Sequence, residues 1–233
     1  MFDLIAFDAD DTLWRSEDLY VAAQGRLSEL LSRYAEPAAV QAALDETEMR
    51  NLAVYGYGLK SFGLSLIEAA IELSQGRIAA GEIQTLIEIV KQALTADVQV
   101  LDGAEQTLAE LGRSYPLMLI TKGDSFHQEA KLAHSGLRGF FRHVEIVADK
   151  TAEVYAAILS RHGVSPSRFI MVGNSLRSDV IPVVELGGWA VHIPYALLWS
   201  HEHAEVPPDL PERWFELDHL ADLPALLARL HRA

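Results

Sequence analysis

The stretch MFDLIAFDADDTLW (residues 1–14) runs through branched and aromatic residues and then meets Asp8, Asp10, Asp11 and Thr12 in quick succession. The apolar part reads as a short strand buried on both faces. Carboxylates this close repel and raise one another's pKa. A fold that gathers them at one strand end needs positive charge brought from elsewhere in the chain.

Further short apolar runs follow: LMLIT (117–121), VEIV (144–147), FIMVG (169–173), WAVHI (189–193) and RWFEL (213–217). Helical patterns sit between them, as in AEQTLAELGRS (104–114) and TAEVYAAILSRHG (151–163), and DLPALLARLHRA (222–233) closes the chain with Pro224 near its start. Strands alternating with helices predict an α/β fold, a doubly wound, Rossmann-like parallel sheet that binds ligands at the carboxyl ends of its strands. The alternation lapses over residues 16–96. There Leu19, Ala23, Leu27, Leu30, Leu31 and Tyr34, and again Ile83, Leu86, Ile87, Val90 and Leu94, recur at helix spacing. Pro37, Gly56, Gly58, Gly76 and Gly81 punctuate that region into about four helices. The expected organisation is a core domain of residues 1–15 and 97–233 with a helical domain, 16–96, inserted after the first strand.

Half of the 233 residues are hydrophobic, and no apolar run is long enough to span a bilayer. No basic stretch and long apolar segment of a secretion signal opens the sequence, so a cytoplasmic location is expected. The absence of cysteine excludes disulfides and thiolate metal sites. Nineteen basic residues against thirty-three acidic ones give a net charge of −14, which argues against nucleic acid or an anionic membrane surface as a partner. An anionic small molecule would need a local positive centre.

The strand ends supply one. Asp8, Asp10 and Thr12 follow the first strand, and Thr121, Lys122, Gly123 and Asp124 end the second. Lys150 follows the third, and Asn174, Ser175 and Asp179 follow the fourth. Taken singly, Thr121 is an ordinary strand-end residue, Lys150 an ordinary surface lysine, and GNSLRSD (173–179) a turn with an Asn or Ser cap. DADDT is not a calcium loop, because the sixth and twelfth positions hold Leu13 and Leu19 where Gly and Glu are required. Together and in this order, the four stretches point to a catalytic site.

FDADDTLW, LMLITKGD, ADK and VGNSLRSD resemble the four motifs of the haloacid dehalogenase-like superfamily, and the insert resembles its helical cap domain. The resemblance implies that Asp8 is a nucleophile forming a phospho-aspartate. It implies that Asp10 is an acid, then a base, its pKa lifted by neighbouring negative charge. Thr12, Thr121, Lys122 and Gly123 would bind the phosphoryl group, and Lys150 would neutralise it. Mg²⁺ would be held by Asp8, Asp10 through its backbone carbonyl, Asn174 and Asp179. The implied enzyme is a phosphomonoesterase acting on a small phosphorylated metabolite. A phosphomutase, a 2-haloacid dehalogenase and a non-catalytic binding protein remain as alternatives. Asp10 speaks against the dehalogenase, since cleaving carbon–halogen bonds requires no acid for an alkoxide. Lys60 and Lys91, the lysines of the insert, lie in no recognisable Schiff-base setting.

Two positions depart from the family pattern. Asp11 stands where glycine is common, and Asn174 where an acid is usual, leaving Asp179 to supply the missing negative charge. The insert segment MRNLAVYGYGLKSFG (49–63) offers Arg50, Tyr55, Tyr57 and Lys60 as substrate-contact candidates. The long segment 192–213 carries His201, Glu202 and His203, read as solvated rather than metal-binding, with Tyr195 and Trp199 packing it down. Substrate identity and oligomeric state are not readable from the sequence.

Overall fold

A computed structural model describes residues 2–231 of the chain. They form two compact units, Asp18–Asp97 and the combination of Met1–Glu17 with Val98–Ala233.

Four helices make up the first of these: α1 (Glu17–Leu31), α2 (Pro37–Tyr55), α3 (Leu59–Leu73) and α4 (Ala80–Leu94). Leu27, Leu31, Leu44, Phe62, Leu66 and Leu86 interlock in their shared core. Pro37 opens α2 at the position where a missing N–H costs nothing. Gly56 and Gly58, with φ of 71° and 116°, break the chain between α2 and α3 in conformations that L side chains rarely adopt. Gly81, expected between helices, lies inside the first turn of α4.

The other unit carries a six-stranded parallel sheet: β1 (Leu4–Phe7), β2 (Leu117–Lys122), β3 (His143–Val147), β4 (Phe169–Gly173), β5 (Trp189–His192) and β6 (Trp214–Glu216). Their order across the sheet is β3-β2-β1-β4-β5-β6. Side chains alternate between faces. Ile5, Phe7, Leu119 and Val172 pack with helices α5 (Ala104–Leu111), α6 (Ser125–His134) and α9 (Leu223–Leu230). Leu4, Ala6, Ile120 and Met171 pack with α7 (Ala152–His162) and α8 (Ile181–Glu185) on the opposite face. Both faces are therefore covered, which is why the strands read as unbroken apolar runs. Residues 232–233, the end of the last expected helix, lie outside the described residues.

The strand order sets where chemistry can collect. β1 is central, Phe7 lies opposite both Leu119 of β2 and Val172 of β4, and the Asp8 N–H donates to Val172 O at 2.8 Å. The segments after β1, β2 and β4 thus leave the sheet side by side at the switch point, where such sheets bind ligands. Asp11 turns the chain there with φ of 61°. Its side chain offsets the strain, because Oδ1 accepts the Ser16 N–H at 2.8 Å and both carboxylate oxygens accept the Glu17 N–H at 3.1 Å. Glycine would suit the dihedral but offers no acceptor. Asp11→Ala is expected to destabilise the protein by about 1–2 kcal/mol through the lost acceptors, plus about 1–2 kcal/mol of left-handed strain that Asp11→Gly avoids. Urea unfolding of the two variants checks this, and equal midpoints would contradict it.

Candidate active site

Lys150 leaves the β3 end and is buried, with 1% of its side chain exposed. Its ammonium donates to Asp8 Oδ1 at 2.5 Å and to Asp179 Oδ1 at 2.7 Å. Asp179 comes from a π-helical turn, Leu176–Val180, directly after β4. Its Oδ2 accepts the Ser175 N–H at 3.1 Å. Thr12 Oγ1 donates to Asp8 Oδ2 at 3.1 Å and lies 3.4 Å from Asn174 Oδ1, so those two oxygens face one hydroxyl. Asp8, Thr12, Lys150, Asn174 and Asp179 thus form one connected group built from three strand ends.

Its charges do not balance. One ammonium serves two buried carboxylates, which with both ionised carry a net negative charge in a desolvated place. Burial pushes the Asp8 carboxyl up, against the pull of Lys150, and Asp179 and Asp10 push it further. Lys150 is driven upward despite its burial by Asp179 and Asp8, and so stays an ammonium. Among the described residues no cluster of three or more His, Cys, Asp or Glu side chains is arranged to hold a metal. The oxygens that converge are a carboxylate, an amide and a second carboxylate, which are hard donors suited to magnesium rather than zinc.

Asp10 departs from the expectation of a lifted pKa. Its Oδ1 accepts Trp14 Nε1–H at 2.7 Å and Lys131 Nζ–H at 2.5 Å, and its Oδ2 accepts Gln128 Nε2–H at 2.8 Å. Burial raises its pKa, but Lys131, Gln128 and Trp14 outweigh that and hold the carboxyl below its ordinary value. The neighbour with a raised pKa is Asp11, pushed up to about 7 by burial while the Ser16 N–H pulls the other way.

Thr121 is buried at the end of β2. The Lys122 side chain turns to Ser178 Oγ, at 3.0 Å, and to Glu202, with which it forms a close ion pair. Gly123, with φ of 133°, leaves room for Gln128, whose Nε2 would lie 3.2 Å from an added Cβ. Glu202 corrects the reading of its segment as solvated. It is buried, and its Oε2 accepts from Ser175 Oγ and Ser178 Oγ, both at 2.6 Å. Arg50 forms ion pairs within the helical unit, with Glu72 at 2.8 Å and Glu46 at 3.7 Å, and Tyr55 is exposed.

A family model described as a hydrolase, haloacid dehalogenase-like hydrolase, matches residues 2–187. Among curated relatives, the glyceraldehyde 3-phosphate phosphatase of Pyrococcus furiosus is 27% identical over 98% of this chain and 93% of its own length. The pyrimidine 5'-nucleotidase YjjG of Escherichia coli is 25% identical over 98% of this chain and 99% of its own. A haloacid dehalogenase-like family hydrolase from Xanthomonas campestris superposes with a TM-score of 0.88 at 41% identity, covering 98% of this chain and 91% of that one. A 2-haloacid dehalogenase from Pseudomonas syringae shares the fold, with a TM-score of 0.64 at 24% identity over 99% of this chain and 100% of that one.

Gly173 probes how tightly the group is built. A Cβ there would meet Asp179 Oδ2 at 2.2 Å, and Asp179 is pinned by Lys150 and Ser175. Gly173→Ala is expected to cost about 1–3 kcal/mol of stability, as overpacking does, and to displace Asp179. Urea denaturation measures the loss, and a variant as stable as the parent would show that Asp179 is loosely held.

Proposed function

The chain belongs to the haloacid dehalogenase-like hydrolase family, and within it we propose that this enzyme is a Mg²⁺-dependent phosphomonoesterase for a small phosphorylated metabolite. The observation that carries the reading is the buried pair of Asp8 and Lys150, 2.5 Å apart, with a second carboxylate, Asp10, two residues on. Relatives named as phosphatases, matched over nearly the whole chain, support it.

In this reading Asp8 attacks phosphorus, an Asp8 oxygen–phosphorus bond forms, and the ester oxygen departs with the proton of Asp10. Water then attacks the phospho-aspartate, giving its proton to Asp10 as the bond to Asp8 breaks and phosphate leaves. Lys150 keeps the nucleophile oriented and offsets charge on the transferring group. Thr121, with the N–H of the following residue, binds phosphoryl oxygens. Lys131 holds Asp10 ionised in the free protein, and an arriving phosphate dianion, a like charge, shifts it toward the protonated form.

The unbalanced charge and the hard oxygen donors fit a magnesium ion. Asp8, Asn174 and the Asp10 carbonyl would hold it, with Asp179 contributing charge directly or through water. When bound, the cation supplies positive charge beside the phosphate and the carboxylates. Asp10 favours this reading over the dehalogenase alternative, because an alkoxide requires a proton and a halide does not.

Asp8→Asn is expected to fold normally and to lose turnover of 4-nitrophenyl phosphate by at least about 10³-fold, the scale of losing a covalent nucleophile. Retained turnover would remove the mechanism. A screen of phosphorylated metabolites identifies the substrate class. Chelation with EDTA is expected to abolish the activity and Mg²⁺ to restore it, whereas activity indifferent to chelation would contradict the metal assignment.

A further inference from the structure

Three donors meet the two oxygens of Asp10, and two of them come from one helix. Lys131 and Gln128 lie three residues apart on α6 and so share a face of it. Asp124 caps that helix, its Oδ1 accepting the His127 N–H at 2.9 Å. Gln128 Nε2 spends both its protons, one on Asp10 Oδ2 and one on Lys122 O, each at 2.8 Å. Two acceptors fix which way the amide faces and tie Asp10 to the segment following Thr121. Gln128 and Lys131 are both buried.

This arrangement is an expensive way to stabilise a fold. Ordering a lysine side chain costs about 1.5–2 kcal/mol of rotamer entropy. Buried ion pairs add little stability beyond what apolar packing of the same volume would give. What such a pair does supply is direction. Trp14 and Lys131 on one oxygen, with Gln128 on the other, leave the carboxyl a single orientation.

We infer that Lys131 and Gln128 are positioning residues for Asp10, fixing where its carboxyl stands when the leaving oxygen takes its proton. The inference rests on the reading of Asp10 as the proton donor. Neither side chain needs to touch substrate. Their effect should therefore scale with how badly the leaving group needs a proton.

Two aryl esters of similar shape separate this role from a structural one. Phenolate needs protonation far more than 4-nitrophenolate. Lys131→Met is expected to lower kcat/KM, which reads the leaving-group step and not the later hydrolysis of the phospho-aspartate, by about 10–10²-fold on phenyl phosphate, up to the low end of general-acid contributions, and by less than about threefold on 4-nitrophenyl phosphate. Gln128→Leu should show the same selectivity with a smaller fall. In an Asp10→Asn background, Lys131→Met should cost nothing more. Equal losses on both esters, or a further loss in the Asp10→Asn background, would overturn the positioning role while leaving the phosphatase reading intact. A wild-type protein that cleaves neither ester would remove that reading and this one with it. Urea unfolding of each variant identifies a misfolded one, and Lys131→Arg then takes its place, expected to retain more phenyl phosphate turnover than Gln128→Leu and contradicting the role if it loses both esters equally.

Discussion

A single buried ammonium held between two carboxylates is the interaction on which the site depends. Lys150 satisfies Asp8 and Asp179 together, and removing the ammonium would leave two carboxylates unpaired away from water. The three residues come from the ends of different strands. The three can meet because the sheet is parallel and β1 is central: Asp179 follows its neighbour β4, and Lys150 follows β3, one strand beyond β2. Fold and site are in this sense one electrostatic problem, and the negative charge of the carboxylates is what the proposed magnesium ion would offset.

Around that centre the supporting contacts fall into two sets. Glu202 reaches in from the segment between β5 and β6 and ties Lys122 to Ser175 and Ser178, joining the β2 end to the turn that carries Asp179. Tyr155 adds a hydrogen bond from α7 to Ser178 O at 3.0 Å. His192 bridges the Asn174 carbonyl, at 3.1 Å, and Glu216, at 2.9 Å. The second set, Trp14, Gln128 and Lys131, fixes Asp10, and Gln128 also ties it to Lys122 O. The first holds the loops still, and the second holds one carboxyl.

Much of this was legible in the sequence because it is local. Six apolar runs became six strands, and the residues expected at their ends, Asp8, Thr12, Lys150, Asn174 and Asp179, stand together. Asp11, where the family resemblance led one to expect glycine, holds the turn because its own carboxylate meets the backbone. Contacts made by long side chains across the sheet left no local trace. Lys131, between Ala130 and Leu132, and Glu202, between two histidines, look like ordinary solvent-facing charges until the fold buries them. The lifted pKa expected of Asp10 came with the acid–base role that the resemblance implied, and a lysine 121 positions away reversed it. The spacing of Gln128 and Lys131 behind the Asp124 cap was the one available signal, and helix periodicity alone gives no partner for that face.

In the proposed mechanism the carboxylate kept beside Lys150 becomes covalently phosphorylated. Acid quenching of the enzyme during turnover, followed by peptide mass spectrometry, tests it most directly. A base-labile phosphoryl group is expected on the peptide carrying Asp8, with no other site labelled. Phosphate release with that peptide unmodified at every time sampled, or with the label on another residue, would contradict it.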